Sequence, residues 1–402
     1  MEQSILVRFS EITLKGKNRY RFEERMARNI GLHLKPHGKY RMRRSSARMT
    51  VGGEGDLELA ASILKGLPGV ANVSMTRPAE REPEALAAAV VDYMETMLAE
   101  AKPRHGRPLA FRIEAHRKDK RYPLRSMDLA AFLGRKVLER FPQLVVDLTA
   151  ADLVLNVEVL DEGALLFAEK LAGPGGLPVG SSGKALCLQS AGIDSPVAAH
   201  MMMTRGISVV HLNFHGAPFI GAQSKEKVHQ IVRFLARHQP HSRLYVAPFG
   251  DIQQEIRDKC PERLRTLLYR RLMNRVGNVV ARREHCLGLI TGESVGQVAS
   301  QTLRNLQVIH AVAELPVLQP LIGLPKQEIV HRAQALGTYP ISIQPYPDCC
   351  TLFQPRHPDT GATLEALEQA EEALAMPELV NACVARLERT DYGPEYYPAT
   401  WE

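Results

Sequence analysis

The chain has 402 residues, 45% of them apolar and 24% charged, and carries a formal net charge of +7. That length suits two or three domains and is ample for a buried core. No apolar run approaches the ~20 residues of a membrane span and the N-terminus lacks a signal-peptide core, so a cytoplasmic protein with no membrane partner is expected. The six cysteines are too sparse and irregular for a disulfide framework, and no CxxC pair suggests zinc, so free thiols in a reducing compartment are expected.

Charge is unevenly placed. Residues 1–50 hold thirteen Lys/Arg against four Glu, a surplus of nine that exceeds that of the whole chain. A basic arm on a neutral remainder suits a phosphate-rich polymer such as nucleic acid, although a solvated charged face has the same composition.

Ile5–Phe9 reads as a strand, followed by the basic turn Lys15–Arg19, in which Asn18 is placed to cap a helix from Arg19 to about Leu34. Arg41–Val51 alternates basic and small residues, as an edge strand facing a ligand would. Asp56–Gly66 reads as a helix ended by Gly66 and Pro68, and Val70–Met75 as a return strand. That order resembles a ferredoxin-like α+β sandwich. Arg77–Glu84 reads as a boundary, and Ala85–Ala99 carries apolar residues at helical spacing. Leu109–Ile113 reads as a strand. His116–Tyr122 is a second basic cluster around an aromatic, suited to phosphates and a stacked base and equally to a salt-bridged surface. A helix from about Asp128 to Arg140 and strands near Leu144–Val146, Leu153–Val159 and Leu165–Ala168 follow.

Leu171–Gly183 is rich in Gly, Pro and Ser and reads as a linker. Beyond it strands and helices alternate. Ala185–Leu188 precedes a helix at Val197–Met203 that Gly206 stops. Val209–Phe214 precedes a helix from about Ser224 to His238, and Leu244–Ala247 precedes helices across Ile252–Arg283. Leu287–Thr291 precedes another turn into a helix. This pattern predicts a doubly wound parallel sheet with ligands at the carboxyl ends of its strands.

Gln189–Pro196 joins the first of these strands to its helix. Backbone N–H groups of a small-residue turn and the positive end of a helix make an anion pocket. Ser195 suits the N-cap, Pro196 the first helical position, and Gly192 a close backbone approach. An ordinary tight β–α turn has the same look when taken alone.

Ser190-Ala191-Gly192-Ile193-Asp194-Ser195 resembles the SGGxDS PP-loop of ATP pyrophosphatases, which adenylate a carbonyl oxygen and release pyrophosphate. More narrowly, the chain resembles the ThiI family of tRNA 4-thiouridine synthetases (tRNA sulfurtransferases) over nearly its full length. Glu11–Arg19, Gly175–Gly180, the loop itself, Thr291–Thr302 and Asp348–Thr351 carry the resemblance in order. It implies a multidomain α/β and α+β chain: a ferredoxin-like domain over residues 1–58, a THUMP RNA-binding domain over 59–169, and a PP-loop ATP pyrophosphatase domain over 170–402. The rhodanese-like domain that many members add is expected to be absent. Ala191 stands where the family usually has Gly, tolerable if its φ is negative and costly if positive.

The resemblance further implies ATP contacts at Leu188, Gln189, Ser190, Gly192, Ser195, Asn213, Phe214, Arg270, Gly292 and Gln301. Phe214 is equally a plain core residue, Arg271 is an alternative to Arg270, and Gln301 suits either the nucleotide or the uracil. Asp194 is the residue expected to organise Mg²⁺ beside phosphates. Lys15, Lys17 and Arg19, with Arg117, Lys118, Lys120 and Arg121, are expected on tRNA phosphates. The implied reaction adenylates O4 of a uridine, position 8 in the family, and replaces AMP with persulfide sulfur carried on Cys350. The implied sulfur source is a cysteine desulfurase or free sulfide, with Cys349 or another internal cysteine assisting. A homodimer and a role toward a sulfur-carrier protein in thiamine thiazole synthesis are also implied. Two other readings stay open: a non-catalytic tRNA-binding protein with a relic loop, and an amidating or lysidine-type PP-loop enzyme that would not need Cys350.

Overall fold

The computed structural model describes residues 2–45, 47–101, 107–346, 349 and 352–393. Two units divide them: one takes the described residues of Met1–Thr13, His37–Gly66 and Val70–Gly175, the other those of Leu14–Pro36, Leu67–Gly69 and Gly176–Glu402. The first helix, α1 (Arg19–Leu34), groups with the second unit, where Asn29 Nδ2 donates to the Val179 carbonyl at 3.0 Å.

The first unit is built on a nine-stranded sheet. Its strands are β1 (Ser4–Phe9), β2 (Tyr40–Ser45), β3 (Arg48–Gly53), β4 (Val70–Ala79), β5 (Ala110–Arg117), β6 (Val145–Val146), β7 (Leu153–Leu160), β8 (Gly163–Phe167) and β9 (Leu171–Ala172). They run in the order β2-β3-β1-β4-β8-β7-β5-β6, with β9 paired to β4. The helices are α2 (Leu57–Leu64), α3 (Pro83–Glu100) and α4 (Ser126–Arg140). Leu86, Val90 and Met94 recur one turn apart on α3 and meet Leu129, Leu133 and Val137 of α4 and Phe111, Leu155 and Val157 of the sheet in one buried cluster. Asp56 caps α2 by accepting from Leu59 N at 3.0 Å.

The structure differs from expectation in places. Arg41–Val51 is a hairpin of two strands, turned at Ala47 with φ +64, and β2 is the edge. The boundary expected at Arg77–Glu84 opens with the end of β4 at Ala79 and closes with the start of α3 at Pro83. The first part of β4 pairs with β1 (Val7↔Val73) and its last with β8 (Arg77↔Leu166), so one long strand serves both halves of the sheet. The expected division between residues 58 and 59 falls inside α2.

The second unit holds a six-stranded sheet in the order β14-β13-β10-β11-β12-β15. The strands are β10 (Lys184–Leu188), β11 (Ser208–His215), β12 (Ser242–Pro248), β13 (Leu289–Ile290), β14 (Val317–Leu318) and β15 (Glu388–Tyr392). All pairings are parallel except that of β15, which adds an antiparallel edge to β12. Besides α1, its helices are α5 (Asp194–Thr204), α6 (Ala222–Leu235), α7 (Gly250–Lys259), α8 (Arg265–Arg283), α9 (Leu303–His310), α10 (Lys326–Leu336), α11 (Tyr339–Ser342), α12 (Leu364–Glu371) and α13 (Met376–Ala385). Both faces are covered, which is why the strands read as apolar runs: on β10, Ala185 and Cys187 join the cluster of α5 and α6, while Leu186 joins that of α8.

Helix α5 begins at Asp194, one residue before the expected cap. It stops where Gly206 (φ +83) follows the last turn and donates to the Met203 carbonyl at 2.9 Å. Among the described residues no helix is long and apolar enough to cross a membrane.

Candidate active site at the sheet switch point

From β10 the chain steps outward to β11 and β12, then returns to the other side of β10 to add β13 and β14. The loops leaving β10 and β13 therefore part in opposite directions, and a crevice opens at the carboxyl ends between them. A cavity of about 250 Å³ lies there. Leu188, Gln189, Ser190, Asp194 and Ser195 line it from β10 and its loop, Asn213 and Phe214 from β11, Thr291, Gly292 and Glu293 after β13, and Arg270 from α8. Gln301 and Cys349 line it too. Of the residues expected to meet ATP, only Gly192 is not on the wall; it sits within the loop, where its N–H donates to Ser190 Oγ at 3.1 Å.

The loop is held by its own hydroxyls. Ser195 Oγ accepts from Ser190 N at 2.9 Å and from Gln189 Nε2 at 2.8 Å, and lies 3.0 Å from Ser190 Oγ. Drawn back in this way, Ser195 sits inside the first turn of α5 and makes no N-cap bond. Gln189 is fixed in turn: its Oε1 lies 3.2 Å from Nδ1 of the buried His211, and its backbone carbonyl accepts from Asn213 Nδ2 at 2.8 Å. Asn213 therefore braces the strand end as well as lining the cavity. Ala191 is buried and is not among the positive-φ residues, so its methyl carries no backbone penalty and the loop keeps its shape with Ala where the family usually has Gly. Phe214 is both wall and core, packed edge-to-face on Phe249 at 5.1 Å.

The far wall separates the two candidate arginines. Arg270 reaches the cavity, where it pairs with Glu293 and donates to Ser300 Oγ at 3.2 Å. Arg271 points away; only 1% exposed, it forms a bidentate pair with Glu371 at 2.7 and 2.9 Å and also donates to the Val308 carbonyl. Burial pushes the Glu293 carboxyl up, but Arg270, His310 and Thr291 more than reverse this and hold it at about 2.

Asp194 stands at the start of α5, its carboxylate taking Lys326 Nζ at 2.5 Å and Gln297 Nε2 at 2.8 Å. Among the described residues no three His, Cys, Asp or Glu side chains group as metal ligands. The Asp194 carboxylate is a hard oxygen donor of the kind Mg²⁺ takes beside phosphates and water, and a bound ion would take the place that Lys326 and Gln297 hold on it.

Cys350 lies outside the described residues. Its neighbour Cys349 is on the cavity wall, with its carbonyl accepting from Gln253 Nε2 at 2.9 Å. The other cysteines are packed away from reaction: burial pushes the Cys187 thiol up, raises that of Cys260, and lifts those of Cys286 and Cys383 to about 12.

The basic residues are of several kinds. Lys17 and, on the first unit, Lys118, Lys120 and Arg121 are exposed, and Arg121 is tied to Asp119 at 2.9 Å. Lys118 reaches Ser45 Oγ at 3.1 Å. Arg117 braces its own turn by donating to the carbonyls of Lys120 and Tyr122. Lys15 lies over the Phe22 ring, and Arg19 pairs with Glu23 at 2.8 Å. Tyr122, the aromatic expected to stack a base, is buried and donates to the Arg81 carbonyl at 2.8 Å, so it is a packing residue.

Sequence reasoning gave no role to Lys326, Glu293, Asn274 or His310, all at this site. Asn274 did leave a signal, a polar residue one turn beyond Arg270 on the same face of α8.

Three family models match in order: a ThiI ferredoxin-like domain over residues 4–74, a THUMP domain over 81–169, and the thiamine biosynthesis protein (ThiI) model over 180–376. A probable tRNA sulfurtransferase of Moorella thermoacetica is 43% identical over 395 residues, 98% of this chain and 99% of that one. A second, from Brevibacillus brevis, is 38% identical over 96% of this chain and 95% of its own length. A crystal structure of a 4-thiouridine synthetase–RNA complex with bound ATP superposes with a TM-score of 0.87 at 34% identity, covering 97% of this chain and all of that one. With whole-length relatives at this identity, and with the five motifs of the resemblance in order, the chain belongs to the ThiI family of tRNA sulfurtransferases.

Proposed function

We propose that the chain is an ATP-dependent tRNA uracil 4-sulfurtransferase that converts a uridine, at position 8 by family resemblance, to 4-thiouridine. The observation that carries this reading is the meeting of the 190–195 loop, Arg270 and Cys349 on one cavity at the switch point. The ATP-bound, RNA-bound relative supports it.

ATP is the first substrate. The N–H groups of the loop and the start of α5 receive its phosphates, and Gly292 lets the wall after β13 come close. Arg270 meets charge developing at the α-phosphate. Mg²⁺, when bound at Asp194, supplies neutralisation of the triphosphate. O4 of the uracil attacks the α-phosphorus, pyrophosphate leaves, and the N3 proton is lost, so that AMP is now the leaving group. The terminal sulfur of a Cys350 persulfide attacks C4 and expels AMP, giving a mixed disulfide. A second thiol attacks Cys350 Sγ, forms a disulfide with it and releases 4-thiouridine.

The division into residues 1–58, 59–169 and 170–402 assigns tRNA capture to the first two parts, with Lys17, Lys118, Lys120 and Arg121 among their exposed cations. The persulfide sulfur comes from a cysteine desulfurase, which passes it on already at the persulfide level, in a cytoplasmic homodimer. Free sulfide would instead attack C4 directly and expel AMP with no persulfide. Delivery to a sulfur-carrier protein for thiamine thiazole is a second use of the desulfurase-loaded persulfide. The test is formation of 4-thiouridine, read by its near-ultraviolet absorbance, from tRNA transcript, ATP, Mg²⁺ and sulfide or desulfurase plus cysteine. Product that persists in Cys350→Ser with desulfurase as donor refutes the role of Cys350, and no product from the unaltered chain refutes the function.

A further inference from the structure

Glu293 lines the cavity three residues past β13, yet its side chain is only 2% exposed. A carboxylate on the wall of a reaction cavity is the first candidate for a general base. This one is already heavily engaged. Oε1 accepts from Arg270, while Oε2 accepts from Thr291 Oγ1 at 2.7 Å, His310 Nε2 at 2.8 Å and Gln319 Nε2 at 2.6 Å. With four donors on it and its acidity held at about 2, it is a poor proton acceptor.

Its donors come from separate elements. Thr291 follows β13, His310 ends α9, Gln319 follows β14, and Arg270 is on α8. The position of the guanidinium is therefore set through Glu293 by the sheet edge and α9, and not by the long Arg270 side chain alone. The pairing also keeps a partly buried cation from standing uncompensated while the site waits for a nucleotide. Arg270 spends one nitrogen on Glu293 and another on Ser300 Oγ, and among the described residues the other N–H groups of the fork have no side-chain acceptor.

We infer that Glu293 is a positioning residue for adenylation: it holds the Arg270 guanidinium where charge develops as pyrophosphate leaves. The inference rests on the reading above that ATP occupies this cavity. It makes Glu293 act wholly through Arg270, so a double-mutant cycle tests it.

The experiment measures kcat and KM for ATP in 4-thiouridine formation for the unaltered chain, Glu293→Gln, Arg270→Ala and the double variant, with a melting temperature for each. Glu293→Gln is expected to lower kcat about tenfold or more and Arg270→Ala about 100-fold or more, by analogy with loss of one donor to developing charge. KM for ATP should stay within about threefold in Glu293→Gln, because the interaction matures only as charge develops. The double variant should match Arg270→Ala within about twofold. Losses that multiply in the double variant, or a Glu293→Gln with unaltered kcat, overturn the inference and leave the function standing; an inactive parent chain overturns both. Should Glu293→Gln fail to fold, His310→Ala and His310→Gln replace it. The first should lower kcat several-fold, and the second, which keeps a donor to Oε2, should restore it; equal kcat in His310→Ala and the parent overturns the inference.

Discussion

Replacing Gly292 by Ala tests the cradle directly. A Cβ at 292 would stand 2.8 Å from Ser195 N, 2.9 Å from the Asp194 carbonyl carbon and 3.0 Å from Ser195 Cα. Ordinary contact begins at 3.4 Å, so one of the two backbones must retreat by about 0.6 Å, and close-packed surroundings resist this. Every obstacle is main chain in the first turn of α5, and that turn is tied to Ser190 through the Ser195 hydroxyl. Strain of this kind costs about 1–3 kcal/mol. If the retreat displaces the N–H groups that meet the phosphates, ATP affinity falls about 10- to 100-fold, at roughly 1.4 kcal/mol per tenfold. Calorimetric titration with ATP and Mg²⁺, beside thermal melting, measures both effects. Gly323→Ala, with nothing within 4 Å of its added carbon, is the comparator and should behave as the parent. Gly292→Ala binding ATP within about twofold of the parent, with an unchanged melting temperature, would refute the reasoning.

The adjacent arginines should separate by kcat. Arg271→Ala removes one of two arginines on Glu371, which Arg275 still pairs, and should cost about 1–3 kcal/mol of stability while the folded fraction keeps its kcat. Arg270→Ala should collapse kcat even in the folded fraction, and because it leaves the buried Glu293 carboxylate without its ion partner it should lower the melting temperature as well. Stability should also fall in acid. Burial lowers His33 to about 4, where nearby His238 and His241 oppose protonation, and lowers His200 and His211 to about 3. These folded-state values lie below the ordinary 6.5, so the unfolded chain binds the extra protons. The stability they contribute is whole above about pH 6.5 and drains away as pH falls toward 4, by about 1.4 kcal/mol per histidine per pH unit. Denaturant melts at pH 7 and 5.5 should thus differ by about 4 kcal/mol from these three residues, and equal midpoints would contradict their burial as neutral rings. Gly134 lies inside α4 with open space around it, so Gly134→Ala should stabilise by about 0.5–1 kcal/mol in the same melts.

Much of the site could be read along the chain because its parts are local. An apolar strand, a run of small residues and a helix start within twelve residues make a phosphate cradle wherever they fold, and Leu188 through Ser195 is such a run. Gly292 was legible for a related reason, as the small residue just past a strand. What escaped depends on tertiary approach. Lys326 reaches Asp194 across 132 positions, and His310 and Gln319 reach Glu293 from separate elements, with no periodicity to announce it. Ser195 has the chemistry of an N-cap, but Ser190 and Gln189 compete for its hydroxyl, and the helix starts at Asp194. Strand β15 was missed because Glu388–Tyr392 is largely polar, as an exposed edge strand is apt to be. Tyr122 looked like a stacking platform among cations, yet burial of its ring decided its place.

The central claim is that one cavity spends ATP to turn a uracil oxygen into a leaving group before sulfur replaces it. The most direct measurement counts AMP released against 4-thiouridine formed in a tRNA-dependent reaction with excess sulfur donor. The account predicts one AMP per thiouridine and no AMP when tRNA is omitted. Thiouridine formed without AMP, or ADP in its place, would contradict it.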